Sequence, residues 1–177
     1  MNETLSILLS RRSIRGYKDT PVPQEIVEQV MEAGLYAPSA RGKQSPIIVE
    51  FSDPKITEEL RKDNAEVGGM HGHGDPFYGA PVILAVLVPE EAHHGIEDGS
   101  VCIGNMLNAV QALGLRGIWI SRARPQFEMS KWKDFLTSIG VRDNYVGVGF
   151  VAMGYPAVED PVPAKRNEGR IYRVIQK

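Results

Sequence analysis

The apolar run at residues 81–88 constrains the fold of this chain more than any other feature. It contains no charged side chain and no side chain that forms hydrogen bonds. A strand that is buried on both faces has this pattern, whereas a strand with one solvated face alternates apolar and polar residues. The run therefore predicts a strand that is covered on both sides.

The other periodic segments predict a chain in which helices and strands alternate. β-Branched and alternating apolar runs predict strands at 47–51, 117–121 and 145–153. Apolar residues at helical spacing predict helices at 3–11, 23–36, 54–67, 97–113 and 130–139. Asp53 and Pro54 have the residue types of an N-cap and a first helical turn. The segment 68–79, which is rich in Gly and His, predicts a loop.

Composition narrows the class of protein. The 177 residues carry a net charge of -2, with 42% hydrophobic and 24% charged residues. This length favours one domain, and the charge argues against a nucleic-acid binder. No apolar run approaches the ~20 residues of a membrane span, and the stretch 5–9 is too short for a signal peptide. Cys102 has no second cysteine to pair with, which suits a reducing, cytoplasmic location.

A basic cluster follows the first predicted helix. Arg11, Arg12 and Arg15 surround Ser13 within five residues. Guanidinium groups bind phosphate through planar, permanently charged forks, and serine adds a neutral donor. The alternative is a solvated basic helix end that complements the helix dipole.

Three further segments have features of a ligand site, and each also has a plain structural explanation. In 37–44, Pro38 blocks the helix, while Ala40 and Gly42 let a planar ring approach the backbone; the segment is otherwise an ordinary loop. Trp119 packs either beside an aromatic ligand or in the core. Lys165 and Arg166 return charge to a phosphate site or form a solvated turn.

Two segments predict contact with another subunit. The helix at 97–113 carries small residues, Gly104, Ala109 and Ala112, that allow close approach of another backbone. The last residues look extended and end in the apolar side chains Ile171, Tyr172, Val174 and Ile175. Packing on a second chain would bury these apolar groups.

Taken together and in order, these segments resemble the FMN-dependent nitroreductase family along essentially the whole chain. The resemblance rests on residues 11–15, on 37–40 with Gln44, on 77–81, on 105–107 with 112–115 ahead of 119–120, and on 153–156. Each motif is short, but their number and order make chance similarity improbable.

The resemblance implies an α+β fold, a three-layer sandwich with a mostly antiparallel central sheet flanked by helices. It implies one FMN-binding domain over residues 1–177. Residues 155–177 would form an extended C-terminal arm that is exchanged in a homodimer. Two FMN molecules would lie at the subunit interface.

The resemblance also assigns the site residues. The phosphate and ribityl chain would be held by Arg11, Arg12, Ser13 and Arg15, with Lys165 and Arg166 from the arm. The isoalloxazine would contact Pro38, Ser39 and Ala40 of the other subunit, with Gln44 within hydrogen-bonding reach, and Trp119, Ile120 and Ser121 on its opposite part. A backbone N–H near Ser121 or Arg122 would face flavin N5. The resemblance implies no catalytic side chain and no metal.

The implied activity is an NADH- or NADPH-dependent, ping-pong reduction of nitroaromatics, quinones or other small planar acceptors. This chain departs from the family pattern in three places. Gly42 replaces the usual Asn, residues 45–46 are Ser-Pro rather than Pro-Trp, and Arg122 and Arg124 follow Ser121 where a small residue is usual. These changes bear on the substrate pocket more than on cofactor binding.

Two alternatives remain open at this point. In the first, the chain keeps this fold and uses flavin for dehalogenation, flavin breakdown or sensing. A metal site built from His71, His73, His93 and His94 is the other alternative, although the spacing does not match a metal motif.

Overall fold

The computed structural model describes residues 2–70, 74–142 and 144–175. In chain order, the elements are α1 (Glu3–Ser10), α2 (Gln24–Leu35), a 3₁₀ turn (Ala40–Gly42), β1 (Ile47–Phe51), α3 (Pro54–Val67), β2 (Val82–Pro89), α4 (Gly95–Ala112), β3 (Arg116–Ile120), α5 (Ala123–Phe127), α6 (Ser130–Ser138) and β4 (Tyr145–Gly154). The predicted helices and strands are all present, with ends that differ by at most two residues.

The four strands form one sheet in the order β1-β2-β4-β3, and every neighbouring pair is antiparallel. The apolar strand β2 lies inside the sheet. Leu84, for example, lies opposite Glu50 of β1 and Val151 of β4. The register shifts between Val86 and Leu87, where β4 forms an irregularity.

Successive residues of β2 pack into two different cores. Leu84 and Val86 belong to a core with Val30 of α2 and Met106 of α4. Ile83, on the opposite face of β2, packs into a core rich in aromatic side chains. These include Phe77 from the loop before β2, Phe127 of α5 and Trp132 of α6. Fully burying each such side chain contributes roughly 1.5–3 kcal/mol. Helices therefore cover both faces, which confirms the α+β fold with an antiparallel central sheet.

The helix ends have local causes. The Asp53 carboxylate accepts hydrogen bonds from the N–H groups of Lys55 and Ile56 at 2.9 and 3.0 Å, so the predicted cap of α3 is confirmed. Helix α4 begins at Gly95, two residues before its predicted start. A Cβ at Gly95 would lie 3.0 Å from Val88, so a glycine lets this first turn pack against β2.

Two short elements were absent from the sequence prediction. One is the 3₁₀ turn at Ala40–Gly42, and the other is α5. Pro125 lies inside α5 and masks it as a helix in the sequence. Because Pro125 is in the first turn, where the N–H groups have no partner within the helix, the proline is tolerated there.

Several apolar side chains remain exposed on the single chain. Leu5, Leu8 and Leu9 of α1 are exposed, so the predicted apolar face of this helix covers no core within the protomer. After Pro156 the described arm has no helix or strand, and its side chains are exposed, including Val162, Ile171, Tyr172, Val174 and Ile175. No helix within the described ranges is both long enough and apolar enough to cross a membrane.

Candidate functional site

The basic cluster lies at the junction between α1 and the edge strand β3. Arg11 is the C-cap of α1, and Ser13 pairs in parallel with Gly117 of β3. Arg12 turns back on the helix end, where its Nη1 donates to the carbonyls of Leu9 and Arg11 at 2.9 and 2.8 Å. The predicted solvated helix end thus accounts for Arg12, because its guanidinium satisfies orphan carbonyls.

Arg11 and Arg15 have no such structural task. The Nη1 atom of Arg11 is buried and has no acceptor among the described residues. A buried charged donor without an acceptor is costly, on the order of 1–3 kcal/mol. Arg15, four residues further along the chain, is exposed. An anion would therefore find one buried guanidinium N–H and one exposed guanidinium along this segment.

The backbone that carries the cluster is firmly anchored. Ile14 is fully buried, and the Tyr17 hydroxyl donates to the carbonyls of Ile14 and Ala152 at 3.2 and 3.1 Å. Burial raises the pKa of the Tyr17 phenol well above its ordinary value, so the donor proton is retained. These contacts fix residues 11–17 relative to β4.

The C-terminal arm starts along the same segment. The N–H of Ala157 donates to the carbonyl of Gly16 at 3.0 Å, and Lys18 donates to Tyr155 at 2.9 Å. Arg116 then makes two hydrogen bonds to Asp160, at 2.7 and 2.9 Å. These hydrogen bonds lower the pKa of Asp160.

Lys165 and Arg166 lie further along the arm and are exposed. Lys165 pairs with Glu168 at 3.2 Å. Arg166 lines an open cavity with other residues of the arm, between Asn167 and Arg173, and this lining includes no residue of the basic cluster.

The loop at 38–45 has an unusual backbone that one carboxylate holds in place. Asp98 is buried in the first turn of α4; its Oδ1 accepts from the N–H of Ala40 at 2.9 Å and its Oδ2 from the Ser45 hydroxyl at 3.0 Å. Sequence reasoning missed Asp98, because an acidic residue in a first helical turn is commonly a solvated partner of the helix dipole.

Within this loop, Arg41 and Gln44 have left-handed φ values of 55° and 51°. Such values cost energy for residues other than glycine and cluster at functional sites. The Ser39 hydroxyl stabilises the turn by accepting from the N–H of Gln44 at 2.8 Å. The Gln44 and Pro38 side chains are exposed, so they are available to a ligand or partner.

Several cavities border the loop. One, of about 380 Å³, is lined by residues that include Arg41, Lys43, His93 and His94. Two others, of about 100 and 650 Å³, are both lined by Pro38, Ser39 and Gln44. Different residues of the loop therefore line different cavities.

The end of β3 places three predicted residues in different environments. Trp119 is 37% exposed, so it does not fill the core, and its indole lies over Gly149. The Ile120 side chain is buried in the core on the opposite face, which leaves only its backbone available. Ser121 is exposed at the strand end.

A buried polar network that sequence reasoning missed holds Arg122. Its Nε donates to Asn64 Oδ1 at 2.9 Å, the Asn64 amide donates to Gln126 Oε1 at 2.7 Å, and the Gln126 amide donates to the carbonyl of Leu60 at 2.9 Å. Asn64 and Gln126 are fully buried. Their spacing in sequence gives no sign that they meet.

The remaining titratable candidates are Cys102 and the four histidines. Burial raises the pKa of the Cys102 thiol to about 11, so this predicted core residue stays protonated at neutral pH. The rings of His93 and His94 contact each other edge to face, with centroids 4.6 Å apart. Within the described ranges no group of three potential ligands is placed to hold a metal. His71 and His73 lie outside the described residues.

Comparison with known proteins matches this arrangement of elements and motifs. The model of the nitroreductase family matches residues 8–155. An FMN reductase [NAD(P)H] of Bacillus subtilis is 31% identical over 147 residues, which cover 70% of this chain and 56% of that protein.

Two solved structures have the same fold along nearly the whole chain. A nitroreductase with bound FMN from Bacteroides fragilis superposes with a TM-score of 0.87 at 25% identity, covering 99% of this chain and 100% of that one. A nitroreductase with bound FMN from Desulfitobacterium hafniense gives a TM-score of 0.87 at 21% identity, covering 98% and 99%. The family match spans the basic cluster, the loop at 38–45 and all four strands, and the chain belongs to the nitroreductase family.

Proposed function

We propose that this protein is an FMN-dependent oxidoreductase that takes electrons from NADH or NADPH and reduces nitroaromatics, quinones or similar planar, electron-poor acceptors. Family membership and the FMN-bound structures of related nitroreductases support the cofactor. The name of the Bacillus subtilis relative supports the nicotinamide donor. The observation that carries the proposal is the buried Nη1 of Arg11, which has no acceptor within the described chain.

The phosphate of FMN fits the basic cluster. Arg11 would donate from its buried Nη1, Ser13 from its hydroxyl beside β3, and Arg15 from its exposed guanidinium. Arg12 would contribute mainly its charge, because its Nη1 is engaged by carbonyls. Lys165 and Arg166 would complete the site from the arm, whose first residues run beside Gly16.

The ring of FMN would be held by the loop at 38–45 and by the end of β3. Pro38, Ser39 and Ala40 would approach it from the partner subunit, with Gln44 as a polar contact. Trp119, the Ile120 backbone and Ser121 would line the other part, and the N–H of Ser121 or Arg122 would face N5. Arg41 or Lys43 would place positive charge at the pyrimidine end, where reduction develops negative charge.

Bound FMN would supply the redox chemistry, the acceptance and return of a hydride at N5, and the protein would supply binding, orientation and electrostatics. No side chain is required as a nucleophile. The one cysteine fits this division of roles, because Cys102 is buried and protonated. Donor and acceptor would use the same open face in turn, a ping-pong scheme.

We further propose that the working unit is a cytoplasmic homodimer with exchanged arms. The apolar side chains of α1 and of the arm are exposed in one protomer. A Cβ at Gly104 of α4 would meet no atom within 4 Å among the described residues, so this side of α4 is open to a second chain. A monomer in sedimentation analysis at micromolar concentration would contradict the dimer.

The activity is tested by following NADH and NADPH oxidation by the purified protein with a quinone and a nitroaromatic as acceptors. We expect parallel-line kinetics when donor and acceptor are varied, since each leaves before the other binds. Protein that retains FMN but oxidises neither nicotinamide would contradict the proposal and favour dehalogenation, flavin breakdown or sensing.

A further inference from the structure

Arg122 is held in a way that leaves its charged fork open. Within the described chain only its Nε has a partner, Asn64 Oδ1 at 2.9 Å. Neither Nη group has an acceptor among those residues, and neither is sealed from solvent. The guanidinium therefore presents two N–H-bearing nitrogens on one edge while the opposite edge is fixed.

The fixing is more extensive than a surface arginine needs. Asn64 is oriented by Gln126, and Gln126 by the carbonyl of Leu60, so three hydrogen bonds of 2.7–2.9 Å run in series from the helix α3 backbone to the guanidinium. Both amide side chains are fully buried. A side chain oriented by buried partners loses less entropy when it binds a ligand.

Gly68 provides the space in which the guanidinium lies. A Cβ at Gly68 would be 3.1 Å from both Cδ and Nε of Arg122. The C-terminal end of α3 thus forms one wall of a cradle for this side chain, and the cation also complements the negative end of that helix. Arg122 is next to Ser121, the residue whose backbone we place beside N5.

From these contacts we infer that Arg122 is a specificity residue that binds the carboxylate of an anionic acceptor. A fixed guanidinium edge matches the two oxygens of a carboxylate. The inference rests on the proposed function, since it places the carboxylate beside the flavin. It narrows the substrate class from planar acceptors in general to planar acceptors that bear a carboxylate.

The test compares two substitutions that remove the same charge. Arg122→Gln keeps a donor for Asn64 and loses the cationic fork, so the buried network retains a partner. Arg124→Gln is the matched control, because Arg124 is two residues away and, within the described part of the chain, pairs only with the exposed Glu128, at 3.3 Å. The acceptors are 4-nitrobenzoate and its uncharged isostere, 4-nitrobenzamide.

We expect Arg122→Gln to raise KM for 4-nitrobenzoate about tenfold, as for the loss of a charged hydrogen-bonded pair. The ratio of the KM values for 4-nitrobenzoate and 4-nitrobenzamide isolates the fork, because any disturbance of the backbone beside N5 would act on both acceptors alike. Arg124→Gln should change KM for neither acceptor. An Arg122→Gln effect of equal size on both acceptors, or an equal effect of Arg124→Gln, would overturn the inference.

A binding measurement keeps this test independent of turnover. Calorimetric titration of the purified protein with benzoate should show an affinity that falls about tenfold in Arg122→Gln and not in Arg124→Gln. Loss of thermal stability in Arg122→Gln without loss of benzoate affinity would show that Arg122 only caps α3. A rise in KM for NADPH alone would assign the fork to the donor's phosphate and overturn the acceptor proposal. Failure of the proposed function would instead abolish reduction of both acceptors in the unsubstituted protein.

Discussion

Replacing Asp98 with alanine is expected to lower the free energy of unfolding by about 3 kcal/mol, because two buried hydrogen bonds to a charged group are lost. The N–H of Ala40 and the hydroxyl of Ser45 would both lose their acceptor. The loop at 38–45 would then be free to leave its left-handed turn at Arg41 and Gln44. Urea unfolding followed by circular dichroism measures the change.

The same substitution should weaken FMN binding about tenfold or more, since the loop that we place against the ring is no longer held in one conformation. Glu97→Ala is the matched control. Glu97 is the neighbouring acid in the first turn of α4, but it is exposed and makes no hydrogen bond to the loop within the described chain. Equal effects of the two substitutions would show that Asp98 acts through the helix dipole and not through the loop.

Gly149→Ala is expected to disturb the flavin site more than any other addition of a single methyl group. A Cβ at Gly149 would lie 2.2 Å from Nε1 of Trp119 and 3.0 Å from Ile103, the closest approach at any described glycine. Overpacking of this kind costs about 2 kcal/mol. Because Trp119 is 37% exposed, the indole can swing outward, and the cost then falls on the pocket rather than on the fold.

We therefore expect Gly149→Ala to reduce FMN affinity about tenfold, with a smaller loss of unfolding free energy. The double variant Gly149→Ala with Trp119→Ala separates the two contributions. With the indole removed, the added methyl group should have little further effect, so the two substitutions should be strongly non-additive. Additive losses of affinity would place the clash elsewhere, at Ile103, and would contradict an effect that acts through the indole of Trp119.

Local sequence patterns predicted helices and strands well where a pattern is compatible with only one kind of structure. The run that became β2 could be assigned to a doubly buried strand because its side chains have no partner other than apolar cores. Asp53 before Pro54 indicated the start of α3, because an N-cap residue followed by a first-turn proline is typical of a helix start. The position of β2 between β1 and β4 was not predicted, since strand pairing over long separations leaves no periodic signal.

The site was less predictable, because its supporting contacts join residues that are far apart in sequence. Asp98 meets Ala40 across 58 residues, and Asn64 meets Gln126 across 62. No local spacing reports such pairs. The side chain of Arg122 stood out in the sequence only as a departure from the family, and its buried support became visible only in the structure. Trp119 was ambiguous for a different reason, since its spacing allowed a core position as well as a ligand site, and the core is the commoner use of tryptophan.

The central claim is that the arginines after α1 bind the phosphate of FMN, and the most direct test compares FMN with riboflavin, which lacks only that phosphate. Apoprotein should bind FMN about 100-fold more tightly, as two charged hydrogen bonds would give. Arg11→Ala should shrink this ratio about tenfold and leave riboflavin affinity unchanged, whereas Lys133→Ala on the exposed side of α6 should preserve the ratio. Equal affinity of the unsubstituted protein for FMN and riboflavin, or a ratio that Arg11→Ala does not change, would contradict the account.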